Sequence, residues 1–509
     1  MKSILISAFL FCTVSLLAQT NRPNIIFIIS DDHAYQAISA YGNKFITTPN
    51  IDRIAHDGVL LTNNCVGNSL CGPSRATLLT GKFSHKNGYA LNGREAFDVS
   101  QFVFPQLLQQ NGYQTAWIGK MHLNSLPNGF DYLKILNGQG TYYNPQFISK
   151  ADTTQYHGYV TNLISGFFFD WLKDRDKSKP FFAVVGEKAT HREWLPDIQD
   201  LGAYDNIDFP LPETFYDNYD KRLAAKDQDM TIDKTMRLKE DLKVHQGFGE
   251  GAGYGEYSRM DEAQKKAYED YYGKISKEFD DKKLSGKDLV QWKYERYLKD
   301  YYATAKSMDR NIGRILDYLD STGLSKNTVV IYASDQGFYM GEHGWFDKRF
   351  IYEESLKTAF IIKYPGVIQP GWKLDSLVSN IDWAPTVLDI AGLKSPAEVQ
   401  GRSFYPLLKK EAVPDWPDAE YYHYYEYPQP HHVSPHFGIR TKDYMLVRFY
   451  KGVNSWELFD LTKDPHELNN VYGQAGYKAI QNELMKKLKG LIIKYDDKEA
   501  LTLFNTAVK

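Results

Sequence analysis

Five short apolar runs constrain the fold of this chain more than any other feature. Asn24–Ser30 (NIIFIIS), Thr115–Gly119, Phe181–Gly186, Thr328–Ala333 and Phe360–Tyr364 are rich in β-branched and large apolar residues, without alternation. A strand with one wet face alternates polar and apolar, so runs like these describe strands buried on both faces, as in a parallel sheet. Helical patterns lie between them, for example Gln101–Asn111 and Tyr297–Leu319. In the latter, Leu298, Tyr302, Ala305, Met308, Ile312, Ile315 and Leu319 make one apolar stripe. Strands alternating with helices predict an α/β fold with a large, mainly parallel sheet sandwiched by helices. A chain of 509 residues, 43% hydrophobic and 24% charged, has material for such a core and a second domain.

The rhythm breaks twice. Residues Asp205–Leu289 are rich in Lys, Asp, Tyr and Gly, with GFGEGAGYGEY at 247–257 reading as a loop. This segment is expected to be a surface insertion of an α/β domain at 19–401, either overhanging a site or a solvated excursion without a role. After Gly401, the segments Tyr421–Tyr427, His436–Arg440, Tyr444–Tyr450 and Trp456–Leu461 read as short strands and Tyr477–Tyr495 as an amphipathic helix. Residues 402–509 are therefore expected to form a smaller α+β domain, an antiparallel sheet with one covering helix. No internal repeats are seen.

The first eighteen residues, MKSILISAFLFCTVSLLA, combine Lys2, an apolar run and a small residue before Gln19, which reads as a cleavable secretory signal. The protein is expected to be exported, periplasmic or secreted, and no later run is long enough for a membrane span. A formal net charge of −3 gives no basic field for nucleic acid. Beyond the leader only Cys65 and Cys71 remain. An exported pair invites a disulfide, although a protein this large gains little from stapling so short a segment.

Two of the buried runs end in acids: NIIFIIS leads into Asp31-Asp32-His33, and TVVIYAS into Asp335-Gln336. Ligand sites in open α/β sheets form beyond the carboxyl ends of strands. Four oxygen-bearing side chains there suit a hard divalent cation, Ca²⁺ or Mg²⁺. Adjacent acids on a regular strand point to opposite faces, so Asp32 must already lie in a turn to share a ligand with Asp31. Taken alone, these acids serve equally as helix caps and turn formers. Two other runs end in Lys120-Met-His122 and Glu187-Lys188-Ala-Thr-His191. Singly, each is a surface lysine beside a packed histidine. Together with a metal-suited quartet they imply a tetrahedral oxyanion substrate, phosphate or sulfate. The segment CGPSRATLLTG at 71–81 adds an anion-seeking helix start, because Pro73 suits a first helical turn and Cys71 would sit just outside it.

That segment resembles the sulfatase signature C-x-P-S-R-x-x-x-L-T-G at every defined position. NIIFIISDDHAYQAISAYG, TPNIDRIAHDGVLLTNNC, GKMHL, PFFAVVGEKATH, SDQGFYMGEHGWFDKR and NIDWAPTVLDIAG are likewise similar to the type I sulfatases of the alkaline phosphatase superfamily. The resemblance runs from about Asn24 to the final helix. It implies that Cys71 is oxidised to formylglycine (3-oxoalanine) by a formylglycine-generating or anaerobic sulfatase-maturating enzyme. The hydrated aldehyde offers two hydroxyls, one to attack sulfur and one to expel sulfate. The resemblance also implies that Asp31, Asp32, Asp335 and Gln336 hold one Ca²⁺ together with an oxygen of modified Cys71. Arg75 and Lys120 would polarise the hydrate, and His122 would act as a base. Lys188 and Lys348 would hold sulfate oxygens, and His191 would protonate the leaving sugar oxygen. Gln336 stands where Asn is commoner, and Met121 and Asn124 where Trp and Gly are frequent.

The implied reaction is hydrolysis of sulfate esters on a sulfated carbohydrate. The other readings are a phosphomonoester or phosphonate-ester hydrolase of the same superfamily and a non-catalytic glycan-binding relative. The aromatic, histidine-rich segment 421–441 resembles the C-terminal segments of bacterial polysaccharide-active sulfatases. Their substrates include glycosaminoglycans, mucin glycans and algal polymers such as ulvan. His431, His432 and His436 are expected either to touch the sugar or to pack and cap turns.

Overall fold

A computed structural model describes residues 22–93, 95–248 and 256–507. The leader at 1–18 lies outside them, as do residues 249–255 of the glycine-rich loop. The main sheet contains β1 (Asn24–Ser30), β2 (Val59–Leu61), β3 (Gln114–Gly119), β4 (Tyr132–Leu136), β5 (Gln146–Ile148), β6 (Thr153–Gln155), β7 (Phe181–Gly186), β8 (Thr328–Ser334), β9 (Phe360–Lys363) and β10 (Trp372–Leu374). These lie in the order β10-β2-β9-β8-β1-β7-β3-β4-β5-β6. From β8 through β1, β7 and β3 to β4 every pairing is parallel. Strand β9 pairs antiparallel to β8, so the sheet is mainly rather than wholly parallel, as the alternating pattern predicts.

The unbroken apolar runs are explained by two cores. Ile25, Phe27 and Ile29 of β1 face one side, with Trp117, Phe182, Val184 and Ile331. There they meet helices α1 (Cys71–Thr80), α2 (Phe104–Gln110) and, farther along the chain, Trp383–Ile390. Ile26 and Ile28 face the other side with Ile118, Val185 and Tyr332. That face is covered by α3 (Val160–Asp174) and by the helix carrying the predicted stripe. Each strand residue therefore buries its side chain whichever way it points, which is what a helix-sandwiched sheet requires.

The 205–289 segment is not a solvated excursion. It contains α4 (Glu262–Lys282), and the stripe helix α5 (Gly286–Ser321) starts within it, so its sequence limit at Leu289 falls inside α5. Phe209, Phe215, Ile232, Met236, Leu242 and Val244 form a core with Tyr297, Tyr301 and Trp194. The C-terminal sheet comprises β11 (Ala419–Tyr424), β12 (His436–Thr441), β13 (Tyr444–Phe449) and β14 (Ser455–Asp460), all antiparallel. One face packs on α6 (Lys478–Lys494) through Leu484, Leu488 and Ile492. The other packs on Cys65, Leu70, Trp345, Phe350 and Tyr352 of the main domain. Phe404 and Leu408, just past the 401/402 limit read from the sequence, pack in the main core. Among the described residues no helix is long and apolar enough to cross a membrane.

Candidate active site

Parallel strands deliver their carboxyl ends to one rim of the sheet, and the charged residues collect there. Asp31 and Asp32 follow β1, and Asp335 and Gln336 follow β8. Asp32 takes a left-handed backbone, φ 61°, which turns its carboxylate toward its neighbour's instead of across the sheet. Asp31, Asp32 and Asp335 present oxygens within 4.8 Å of one another, and Asp31, Cys71 and His191 form a second such group. All four strand-end residues are buried.

Cys71 is the first residue of α1, with Leu70 as its extended N-cap, so it lies on the helix rather than just outside it. The Gly72 N–H donates to Asn92 Oδ1 at 3.0 Å. Cys65 and Cys71 are both buried free thiols, with no bridge between them. Burial, and then the charge of Asp31, pushes the Cys71 thiol well above its usual range, so a thiolate is disfavoured here.

Four cations surround this point. Arg75, fully buried, donates from Nε to Asp335 Oδ2 at 2.9 Å and from Nη1 to the Lys120 carbonyl at 2.8 Å. Lys120 Nζ contacts Asp31 and the side chain of Gln139. Lys348 Nζ donates to both oxygens of Asp32 at 2.7 Å. Desolvation opposes the charge on Lys348, but Asp32 holds it well above the usual lysine range. Lys348 lies between two left-handed residues, Asp347 at φ 78° and Arg349 at φ 104°, a local strain of the kind found at functional sites. Lys188 Nζ bonds to Glu256 Oε1 at 2.8 Å.

Two histidines stand beside Lys120 and Asp31. His122 accepts from the Gln139 amide at 3.2 Å, and its Nδ1 has no partner. His191 donates from Nδ1 to the Arg192 carbonyl at 2.6 Å, which leaves Nε2 free. Desolvation, followed by the nearby Lys120, pushes both rings well below the usual histidine range. A groove of about 470 Å³ opens beside His122 and is lined by Asn124, Leu126, Leu136 and Gly138 among others.

The acidic cluster fits a bound cation. Burial pushes Asp335 up to about 7 and Asp32 up to about 6, despite the opposing Arg75 and Lys348. Asp31, although desolvated, is held well below the carboxylate range by Lys120, His191 and Arg75. Among the described residues, Asp31 Oδ1 and Gln336 Oε1 are buried with no hydrogen-bonding partner. The Gln336 amide nitrogen faces Asp32 and lies 3.7 Å from Cys71 Sγ. The reversed amide, identical in shape, places Oε1 among the carboxylates. An all-oxygen, carboxylate-rich set of this kind suits a hard divalent ion.

The structure thus brings Asp31, Asp32, Cys71, Arg75, Lys120, His122, Lys188, His191, Asp335, Gln336 and Lys348 together. The three C-terminal histidines divide. His436 has no exposure; its Nε2 accepts from the Ile351 N–H and its Nδ1 donates to the Ser434 carbonyl, so it packs and cannot touch a sugar. His432 is partly exposed and pairs with Asp227 at 3.2 Å. His431 lies 3.2 Å from Asp347, next to Lys348 in sequence. Sequence reasoning missed Gln139, which touches Lys120, His122 and Lys188, and also missed Asn92 and Glu256. All three lie in loops without periodicity, so no sequence signal marks them.

A buried cysteine at a helix start, a carboxylate cluster and four cations on an alkaline-phosphatase-like sheet define a class that the comparisons specify. Residues 23–393 match the sulfatase family, and residues 341–494 match the C-terminal region of the N-sulphoglucosamine sulphohydrolases. The chain belongs to the sulfatase family and is a sulfate-ester hydrolase.

Particular relatives narrow the picture. The chain is 45% identical to an N-acetylglucosamine-6-O-sulfatase of Bacteroides thetaiotaomicron over 492 residues, 94% of this chain and 88% of the relative. It is 25% identical to an ulvan-active sulfatase of Formosa agariphila, over 95% of this chain and 84% of the relative. A solved structure of a protein in complex with its substrate D-glucosamine-2-N,6-O-disulfate superposes with a TM-score of 0.91 at 44% identity. It covers 94% of this chain and 99% of the other.

Proposed function

We propose that this protein removes the 6-O-sulfate of N-acetylated or N-sulfated glucosamine in saccharides derived from glycosaminoglycans. The observation that carries the reading is the 45% identity, along nearly the whole of both chains, to an N-acetylglucosamine-6-O-sulfatase. The likeness to the glucosamine-2-N,6-O-disulfate complex supports the same sugar. Ulvan has weaker support, from a relative at 25% identity.

In this reading Cys71 is the precursor of formylglycine, and its raised thiol pKa agrees with a side chain that does not itself attack. The modified residue, once hydrated, supplies two hydroxyls on one carbon in place of a thiol. Asp31, Asp32, Asp335 and Gln336 would hold one Ca²⁺, which would supply positive charge against their mutual repulsion and the substrate's anion. Arg75 and Lys120 flank residue 71 and favour a negatively charged oxygen there. Lys188 and Lys348 bind sulfate oxygens. His191, anchored through Nδ1, presents Nε2 to the leaving sugar oxygen and delivers a proton to it. The bound sulfate ester places negative charge beside this ring and raises its proton affinity from the low value of the free site. His122 moves a proton at residue 71. The protein is exported and matured by a formylglycine-generating or anaerobic sulfatase-maturating enzyme.

The test uses protein co-produced with a maturating enzyme and measures sulfate release from N-acetylglucosamine sulfated at C3, C4 or C6, and phosphate release from the 6-phosphate. The 6-sulfate alone is expected to turn over, with loss after exhaustive chelation and recovery on adding Ca²⁺. Cys71→Ala is expected to be inactive. Preference for the 6-phosphate, or full activity in Cys71→Ala, contradicts the reading.

A further inference from the structure

The 205–289 segment reaches the candidate site through one carboxylate. Glu256 Oε1 bonds to Lys188 Nζ at 2.8 Å, and Glu256 accepts at Oε2 from the Tyr142 N–H, also at 2.8 Å. Tyr142 in turn lies under the same lysine, Nζ 4.8 Å from its ring centroid, and donates its hydroxyl to the His191 carbonyl at 2.6 Å. The Gln139 carbonyl accepts from Lys188 Nζ at 3.3 Å. An ammonium has three donors. Among the described residues Glu256 and Gln139 take two, and one remains for a ligand.

This is not an exposed surface pair, whose value is small. The Lys188 side chain has no exposure and that of Glu256 only 12%. The next residue, Tyr257, is buried in the core of the α3/α5 face, against Phe248, and donates its hydroxyl to the Glu240 carbonyl at 2.7 Å. A second tether from the same segment runs alongside. Arg192, next to His191, is clamped by both oxygens of Asp241 at 2.7 and 2.6 Å. Lys243 donates to the carbonyls of Glu193 and Trp194.

We propose that Glu256 is a positioning residue for the Lys188 ammonium, through which the 205–289 segment builds one wall of the sulfate site. A lysine has a flexible four-carbon stem, and ordering it when substrate binds costs affinity. The carboxylate, the carbonyl and the ring fix it beforehand. The inference rests on Lys188 being a sulfate ligand.

The experiment is steady-state hydrolysis of N-acetylglucosamine-6-sulfate by matured protein, together with the inhibition constant of inorganic sulfate. Glu256→Ala is expected to raise KM and the sulfate inhibition constant about tenfold, one charged contact's worth, with a smaller change in kcat. Glu256→Gln keeps an acceptor oxygen and is expected to recover most of that loss. Lys188→Ala is expected to lose more, and the double variant no more than Lys188→Ala alone. Unchanged constants in Glu256→Ala, faster turnover from release of a competing carboxylate, or additive losses in the double variant each overturn the proposal. If Lys188→Ala itself leaves both constants unchanged, Lys188 is not a sulfate ligand and both readings fall. Loss in Lys188→Ala with an unaffected Glu256→Ala sinks the positioning role alone.

Discussion

Asp335 has two partners of opposite kind, a carboxylate cluster on one side and Arg75 at 2.9 Å on the other, with both side chains fully buried. Removing its charge therefore affects both ligand binding and folding. Asp335→Asn keeps the shape and is expected to abolish Ca²⁺-dependent turnover. Because Arg75 is left without its carboxylate, a stability loss of about 3–5 kcal/mol is expected alongside, read from urea unfolding. Retained calcium binding by calorimetry would argue that the cluster is not the metal site. Residues of this kind were legible in the sequence because strand ends announce them: an apolar run stops and acids follow at once. Asp32 also had to leave the strand geometry to join Asp31, and its φ of 61° shows how it does so. Gln139, Asn92 and Glu256 had no such announcement. Glu256 meets Lys188 across 68 positions of chain, a proximity set by tertiary packing alone. His436 stayed open for a different reason, since a histidine in an aromatic segment reads equally as a sugar contact or a packed ring until both ring nitrogens are found occupied.

Glu187 directly follows β7, one residue before Lys188, with its side chain buried and neither carboxyl oxygen hydrogen-bonded among the described residues. Burial pushes its pKa from 4.5 up to about 8. Below pH 4.5 the acid is protonated in both folded and unfolded chains, and its contribution to stability is constant. Between 4.5 and about 8 the unfolded chain releases this proton while the folded one keeps it. Stability from this group then falls by about 1.4 kcal/mol per pH unit, and the loss levels off above the folded value. Glu187→Gln is expected to match wild type at pH 4.5 and to be the more stable protein at pH 8 in urea unfolding. Parallel stability curves for the two proteins across that range would refute the assignment. The same elements show what periodicity reveals and what it does not. The α5 stripe from Leu298 to Leu319 was visible because one face of the helix is buried. Its first turns from Gly286 were not, because residues there pack on the 205–289 segment, whose core residues are scattered among lysines and aspartates.

At the scale of the whole molecule, two units meet around one site. The C-terminal sheet packs its aromatic face on Leu70, the N-cap of the Cys71 helix, and on Phe350 and Tyr352, which follow Lys348. Arg349 reaches across to Glu426 at 2.5 Å. The division into a parallel-sheet unit and an antiparallel one was legible because the strand pattern changes from continuous apolar runs to short mixed ones. How the second unit closes over the first was not, since it rests on side chains that look like ordinary core. This arrangement also places two kinds of evidence in competition. The C-terminal region matches proteins described as N-sulphoglucosamine sulphohydrolases, whereas the full chain is 45% identical to a 6-O-sulfatase. Position specificity depends on the whole pocket, and the full-length likeness carries more of it. The most direct test is a single proton NMR time course with matured protein and D-glucosamine-2-N,6-O-disulfate, in which loss of each sulfate shifts different ring protons. The account predicts that the C6 protons move as the 6-O-sulfate leaves while the C2 proton stays at its N-sulfated position. Movement of the C2 proton with the C6 protons unchanged would contradict it.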